Sequence, residues 1–303
     1  MDQHENLVTS IVGTGVQKIT PILNKGTVNQ VFLVESSEGN VVVRLNNEDL
    51  VSRYEKEKWC MEKASEVGVN APKVISVGEK DGYAYTVMSF IEGTPGDETD
   101  TTGRPLVWRE LGRYARAIHS IPVAGFGLEY ADMIEGDSER HWNDYLDYNI
   151  KSLTPEDKLI ELGVIDIEES KRVKELFEEL KKKNFTFGLN HGDLSLKNTI
   201  LGADGSVYLL DWGCAEADIV PHFDIGEIKR SSELTEEDWD SFLVGYSMSR
   251  EEFKGLEDDL KSRLLLLRFD KLRWAIDKKP ERIEEYAKEA KSAFEFKFAP
   301  ANS

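Results

Sequence analysis

The chain has 303 residues and a net charge of −19, with 57 acidic against 38 basic side chains, which argues against nucleic acid or an anionic membrane as partner. A hydrophobic content of 40% suits a globular protein of two lobes, and the longest aliphatic run, Leu264 to Leu267, is far too short to span a bilayer. Only Cys60 and Cys214 are present, and Met1 to Glu5 is acidic where a signal peptide would be basic, so a cytoplasmic protein without a disulfide framework is expected.

Residues Glu5 to Val12 read as a short leading helix. Val16 to Leu23, Val28 to Ser36 and Asn40 to Leu45 are β-branched and roughly alternating, as strands are, with turns at Lys25-Gly26 and Glu38-Gly39-Asn40. A helix follows from about Glu48 to Val67, stopped by Gly68. Lys73 to Val77 and Tyr83 to Phe90 return to strand. Beyond a linker near Ser89 to Gly93 the pattern turns helical: Leu106 to His119, His141 to Leu153 and Ile167 to Lys183. Further helices are expected near Asp224 to Lys229, Thr235 to Tyr246, Arg250 to Ile276 and Pro280 to Phe294, with the last ten residues frayed. Thr235 followed by Glu236, Glu237 and Asp238 has the form of an N-cap with acids that suit the helix dipole.

Chemistry concentrates between these helices. His191-Gly192-Asp193 is followed by Asn198, and thirteen residues after Asn198 comes Asp211-Trp212-Gly213. The apolar runs Thr199 to Leu201 and Val207 to Leu210 flank Asp204-Gly205, a hairpin-turn signal. Phosphoryl transfer needs a carboxylate to orient and deprotonate an attacking hydroxyl, and oxygen ligands to hold Mg²⁺ against the phosphates. Asp193 suits the first task, and Asn198 and Asp211 the second, as metal ligands at opposite ends of one rigid hairpin. Asp-Gly and Gly-Asp pairs also mark plain turns. That reading leaves the joint spacing unexplained.

These motifs resemble the aminoglycoside phosphotransferase family of small-molecule kinases, which usually reads H-G/A-D-x4-N and then D-W/F/L-G/E/S. Protein kinases differ: they carry Lys where Ser195 stands, usually Phe where Trp212 stands, and an activation loop ending in A-P-E, which is absent after Gly213. The resemblance covers nearly the whole chain. It implies an α+β, protein-kinase-like two-lobed fold. Residues 1–90 would form the N-lobe, an antiparallel five-stranded sheet with one helix. Residues 91–303 would form the mostly helical C-lobe with the catalytic hairpin.

The resemblance also implies a nucleotide site for ATP or GTP with Mg²⁺. Gly26 and Asn29 fall in the loop that covers the phosphates, where glycine allows close backbone approach. Arg44 sits where the family places a basic residue on the third strand, and arginine can bridge phosphates bidentately. Its acidic partner on the next helix is expected to be Glu57, with Glu55 the alternative. Met88 would back the adenine slot, with base contacts from the backbones of Ser89 and Ile91. His191 is expected to be scaffold, and Asp224 to brace the active-site loops.

The implied activity is phosphorylation of a hydroxyl on a small molecule. An aminoglycoside-like antibiotic is the first expectation, as for a resistance kinase. The acidic stretches Glu129 to Glu139 and Glu233 to Asp240 would suit such a cation, and Gly127 to Asn143 with Trp142 is similar to hygromycin-type members. The alternatives are a metabolic kinase for choline, homoserine or a sugar, and a nucleotide-binding pseudokinase that serves as a regulatory module.

Overall fold

Side-chain alternation builds the first layer. The computed structural model describes residues 3–22, 30–47, 50–230 and 234–299, beginning with helix α1 (Gln3–Val12). Strands β1 (Val16–Pro21), β2 (Gln30–Ser36) and β3 (Val41–Asn47) follow, then helix α2 (Val51–Glu66) and strands β4 (Val74–Lys80) and β5 (Tyr83–Ser89). The strands form one antiparallel sheet in the order β1-β2-β3-β5-β4. Phe32, Val34, Val43 and Leu45 bury one face against Leu7 and Val8 of α1. The period of two then turns Val42 and Arg44 to the other face, toward α2.

Past Ser89 the chain enters a largely helical half. The elements in order are β6 (Gly93–Pro95), α3 (Gly103–His119), α4 (Tyr130–Ile134), α5 (Ser138–Ser152), α6 (Lys158–Glu161), α7 (Ile167–Lys181) and β7 (Thr186–Asn190). The hairpin strands β8 (Thr199–Gly202) and β9 (Val207–Leu209) come next, then β10 (Glu216–Val220), α8 (His222–Lys229), α9 (Glu236–Tyr246), α10 (Arg250–Lys278) and α11 (Ile283–Phe298). Helices α7, α9 and α10 each open with a capping box, Asp166/Glu169, Thr235/Asp238 and Ser249/Glu252, so the reciprocal bonds satisfy N–H groups that a helix start leaves free.

Two further cores fix this half. One gathers Cys60, Met61 and Ala64 of α2 with Leu111 and Tyr114 of α3, Phe242 of α9, and Val207, Leu209 and Trp212 of the hairpin region. The other packs Trp142, Phe177, Phe269 and Phe294 from α5, α7, α10 and α11. The hairpin is therefore anchored on apolar side chains. It is also tied upward: the Leu209 N–H donates to the Asn70 carbonyl (2.8 Å), and Asn70 Nδ2 donates to the Val207 carbonyl (3.3 Å). On its other side β8 pairs with β6.

This is the two-lobed α+β arrangement expected from the sequence, and it differs in detail, with β6, α4 and α6 also unexpected. The short sheet of β7 and β10 had no expectation attached; Gly188, Asn190 and Asp218 interrupt its apolar signal. The last helix does not stop at Phe294 but continues to Phe298, whose ring packs on Phe294 (4.8 Å between centroids) and beneath Arg172 (4.4 Å). Trp142 is buried in the second core, which assigns it to packing. No described helix is long and apolar enough to cross a membrane.

Candidate active site

The catalytic loop begins where β7 ends. Gly192 has φ +81°, and a Cβ there would stand 2.1 Å from the Cys214 carbonyl, so this position admits only glycine. Asp224, at the start of α8, accepts from the N–H groups of His191 (2.9 Å) and Gly192 (2.8 Å) and contacts His119 Nε2 (3.1 Å). Burial alone would raise the Asp224 carboxyl; the hydrogen bond and charge of His119, with His191, hold it below the usual range. The Asp224 side chain is thus the brace of the loop.

His191 is fully buried. Its Nε2 lies 3.0 Å from the Leu210 carbonyl, and its Nδ1 accepts from the Asp193 N–H at 3.3 Å. That pattern is satisfied by a neutral ring protonated at Nε2, and burial pushes its pKa down accordingly. Its ring meets Trp212 edge-on at 4.7 Å. The expectation of a scaffold histidine agrees with these contacts.

Asn198 and Asp211 flank the hairpin in sequence, but antiparallel pairing brings its two feet together rather than holding them at opposite ends. Thr199 pairs with Leu209, and the Leu210 N–H donates to the Asn198 carbonyl at 2.8 Å. Asn198 Nδ2 is directed to Asp193, 2.8 Å from both its main-chain carbonyl and its Oδ2. The oxygen of the amide is the end left over. Asp211 follows β9 with φ +55° and ψ 72°, a left-handed conformation unusual for a residue other than glycine.

Above this, Arg44 Nη1 donates to Glu57 Oε2 at 2.5 Å and Nη2 to Oε1 at 3.4 Å, while Glu55 is exposed. Burial opposes the Arg44 charge, but Glu57, Tyr54 and Asp211 together raise its pKa. Burial likewise pushes Glu57 up, against the pull of Arg44, and the Asp211 charge adds to that push. Two carboxylates therefore share the surroundings of one guanidinium, which favours a further cation beside Asp211. The available donors, a carboxylate and an amide oxygen, suit a hard ion such as Mg²⁺ that takes its other ligands from phosphate and water.

Met88 is buried on β5, and Ser89 and Ile91 are half-buried at the strand's exit. The Ser89 N–H donates to the Lys73 carbonyl (2.9 Å). Gly26 and Asn29 lie outside the described residues. Of the acids expected to meet a cationic acceptor, Glu236 and Asp240 are paired with Arg250, and Asp238 with Arg104. Glu129, Glu135 and Glu139 are exposed. Two lysines also border the site: Lys197, which the sequence marks as a solvated lysine beside Asn198 within reach of phosphate, and Lys56, which had no expectation attached. Lys197 Nζ stands 3.3 Å from Asp193 Oδ2, and buried Lys56 reaches the backbone beyond Asp211. Lys197 adjoins Asn198 in the sequence, a signal of its place; Lys56 has none.

The model of the phosphotransferase enzyme family APH matches residues 19–279, and the chain belongs to that family. It is a small-molecule phosphotransferase. A probable ketoamine kinase of Staphylococcus aureus (strain NCTC 8325 / PS 47) is 27% identical over 251 residues, 78% of this chain and 81% of that protein. Among solved structures, a thermostable mutant of aminoglycoside phosphotransferase APH(4)-Ia, in ternary complex with ADP and hygromycin B, has a TM-score of 0.68 at 16% identity, covering 99% of this chain and 100% of that one. The GDP and kanamycin complex of APH(2")-IIia has a TM-score of 0.65 at 14% identity, with 97% and 99% covered. These likenesses establish the protein-kinase-like fold.

Proposed function

We propose that the chain is an ATP- or GTP-dependent, Mg²⁺-requiring O-phosphotransferase acting on a small hydroxylated molecule that carries an amine. The observation that carries this reading is the gathering of Asp193, Asn198 and Asp211 at the feet of one hairpin, beside the Arg44–Glu57 pair. Asp193 orients the acceptor hydroxyl and takes its proton as the oxygen–phosphorus bond forms and the nucleoside diphosphate leaves. Asn198 and Asp211 would hold Mg²⁺, which would neutralise phosphate charge. Arg44, kept in place by Glu57, contacts phosphate. Met88 backs the base. The Ser89 N–H is already engaged, so its carbonyl and the Ile91 N–H make the base contacts. Gly26 and Asn29 belong to the phosphate loop.

The acceptor is the finer part of the reading. Ketoamines and aminoglycosides share hydroxyl groups and an amine. The pairing of Glu236 and Asp240 with Arg250, and of Asp238 with Arg104, offsets part of the acidic charge expected to meet a polycation. The 27% identical relative is named for ketoamines. Both points favour a ketoamine-type acceptor, with an aminoglycoside second. Release of ADP or GDP measured against ketoamines, aminoglycosides and neutral sugars tests this. Release stimulated by aminoglycosides alone would reverse the order, and no stimulation by any hydroxylated acceptor would favour the pseudokinase reading.

A further inference from the structure

Helix α2 turns two consecutive charged residues inward, Lys56 and Glu57, each 4% exposed. Glu57 faces Arg44. Lys56 Nζ donates to the carbonyls of Leu128 (3.2 Å), Gly213 (3.0 Å) and Ala215 (3.0 Å). An ammonium has three N–H donors, and all three have a backbone partner here.

Burying a lysine is costly, and the contact between α2 and this loop did not need one to fill space. Cys60, Met61 and Ala64 of the same helix already pack in the core that holds Trp212 and Ala215. What the lysine adds is direction. It fixes two carbonyls just beyond Asp211, whose left-handed backbone persists only if its surroundings hold it there. The same backbone lies under both carboxylates: a Cβ on Gly213 would stand 3.5 Å from Asp211 Oδ1 and 3.6 Å from Glu57 Oε1. The Lys56 charge acts on this neighbourhood, favouring the ionised form of Glu57.

We propose that Lys56 is a positioning residue for the metal site. By holding the Gly213 and Ala215 carbonyls it keeps Asp211 in its left-handed conformation beside Asn198 before any metal arrives, and it joins α2 to the metal-binding loop. This rests on the reading of Asp211 as a Mg²⁺ ligand.

The test is nucleotide binding by calorimetry, with Mg²⁺ and with chelator, in the native protein, Lys56→Met and Lys56→Gln. Nucleotide affinity in chelator should match the native protein, while Mg²⁺ affinity should fall roughly 10–100-fold, as for other groups that orient a metal ligand. In the metal-free Lys56→Met protein, deuterium exchange should rise over residues 211–216 and stay native in the C-terminal helices. In a further variant, Lys56→Ala, Mg²⁺ affinity should fall likewise and be restored by added propylammonium. Equal losses with and without Mg²⁺, unchanged Mg²⁺ affinity, or failure of the variants to fold would each make Lys56 a plain structural anchor and overturn the proposal. The native protein separates the two ideas. If its nucleotide affinity ignores Mg²⁺, the ligand assignment fails; if native and Lys56→Met respond alike, only the Lys56 proposal fails.

Discussion

Asn198 holds Asp193 twice, with Nδ2 at 2.8 Å from the main-chain carbonyl and 2.8 Å from Oδ2. Lys197 approaches the same Oδ2, so Oδ1 is the oxygen left for a hydroxyl. The amide therefore sets the rotation of the proposed base as well as offering its own oxygen to a metal.

Asp193→Asn should leave nucleotide binding near native and lower turnover by roughly 10²–10⁴-fold, the usual range for loss of a general base. Steady-state kinetics with a working acceptor decide it. A variant that keeps most of its turnover removes Asp193 from the role.

Asp211→Ala should weaken Mg–nucleotide binding more than Asn198→Ala, because a carboxylate is the stronger ligand for a hard cation. Asn198→Ala should in addition lower turnover at saturating Mg²⁺, since Asp193 loses its clamp. Calorimetry showing native Mg–nucleotide affinity in Asp211→Ala would end the metal assignment.

Glu57→Ala removes the hydrogen-bonded partner of the Arg44 guanidinium, which has 12% side-chain exposure. Loss of one partner of a buried pair costs about 3–5 kcal/mol, whereas replacing both with apolar groups costs little. Chemical denaturation should therefore find Glu57→Ala much less stable than Arg44→Met/Glu57→Leu. Equal stabilities would mean that the pair is not buried as described.

Glu216 gives a pH test. Burial, with Asp218 adding, pushes its carboxyl up to about 8 from an ordinary 4.5, against the pull of Arg263. The folded chain keeps this proton over a range where the unfolded chain has released it. The contribution is full below 4.5 and is lost as pH rises toward 8. Thermal melts of Glu216→Gln should gain on the native protein steadily over that interval; a constant difference would refute the shift.

The sequence exposed the parts of the site that are local. His191 to Asn198 and Asp211 to Gly213 are short motifs on one hairpin, so their spacing survives as geometry. Arg44 and Glu57 were legible only as a choice, because Glu55 and Glu57 lie on the same helix and only its packing decides which faces inward. Lys56 was hidden altogether. Within Glu55-Lys56-Glu57-Lys58 it looks like a solvated helix face, and its three acceptors are backbone atoms distant in sequence. The acids near residue 236 show the converse: composition reveals charge, but not the arginines that meet it.

The ties from α2 and Asn70 to the catalytic half divide the molecule mechanically in another place than chain order does. Lys56 fastens α2 to the segment after Asp211, and Asn70 fastens the following turn to β9. With β6 joined to β8 as well, the hairpin region is held at three separated points. The five-stranded sheet meets this tied body at α2, where Met88 and Val42 share a core with Cys60 and Met61 and where Arg44 pairs with Glu57, so tilting the sheet would have to break apolar packing as well as one ion pair.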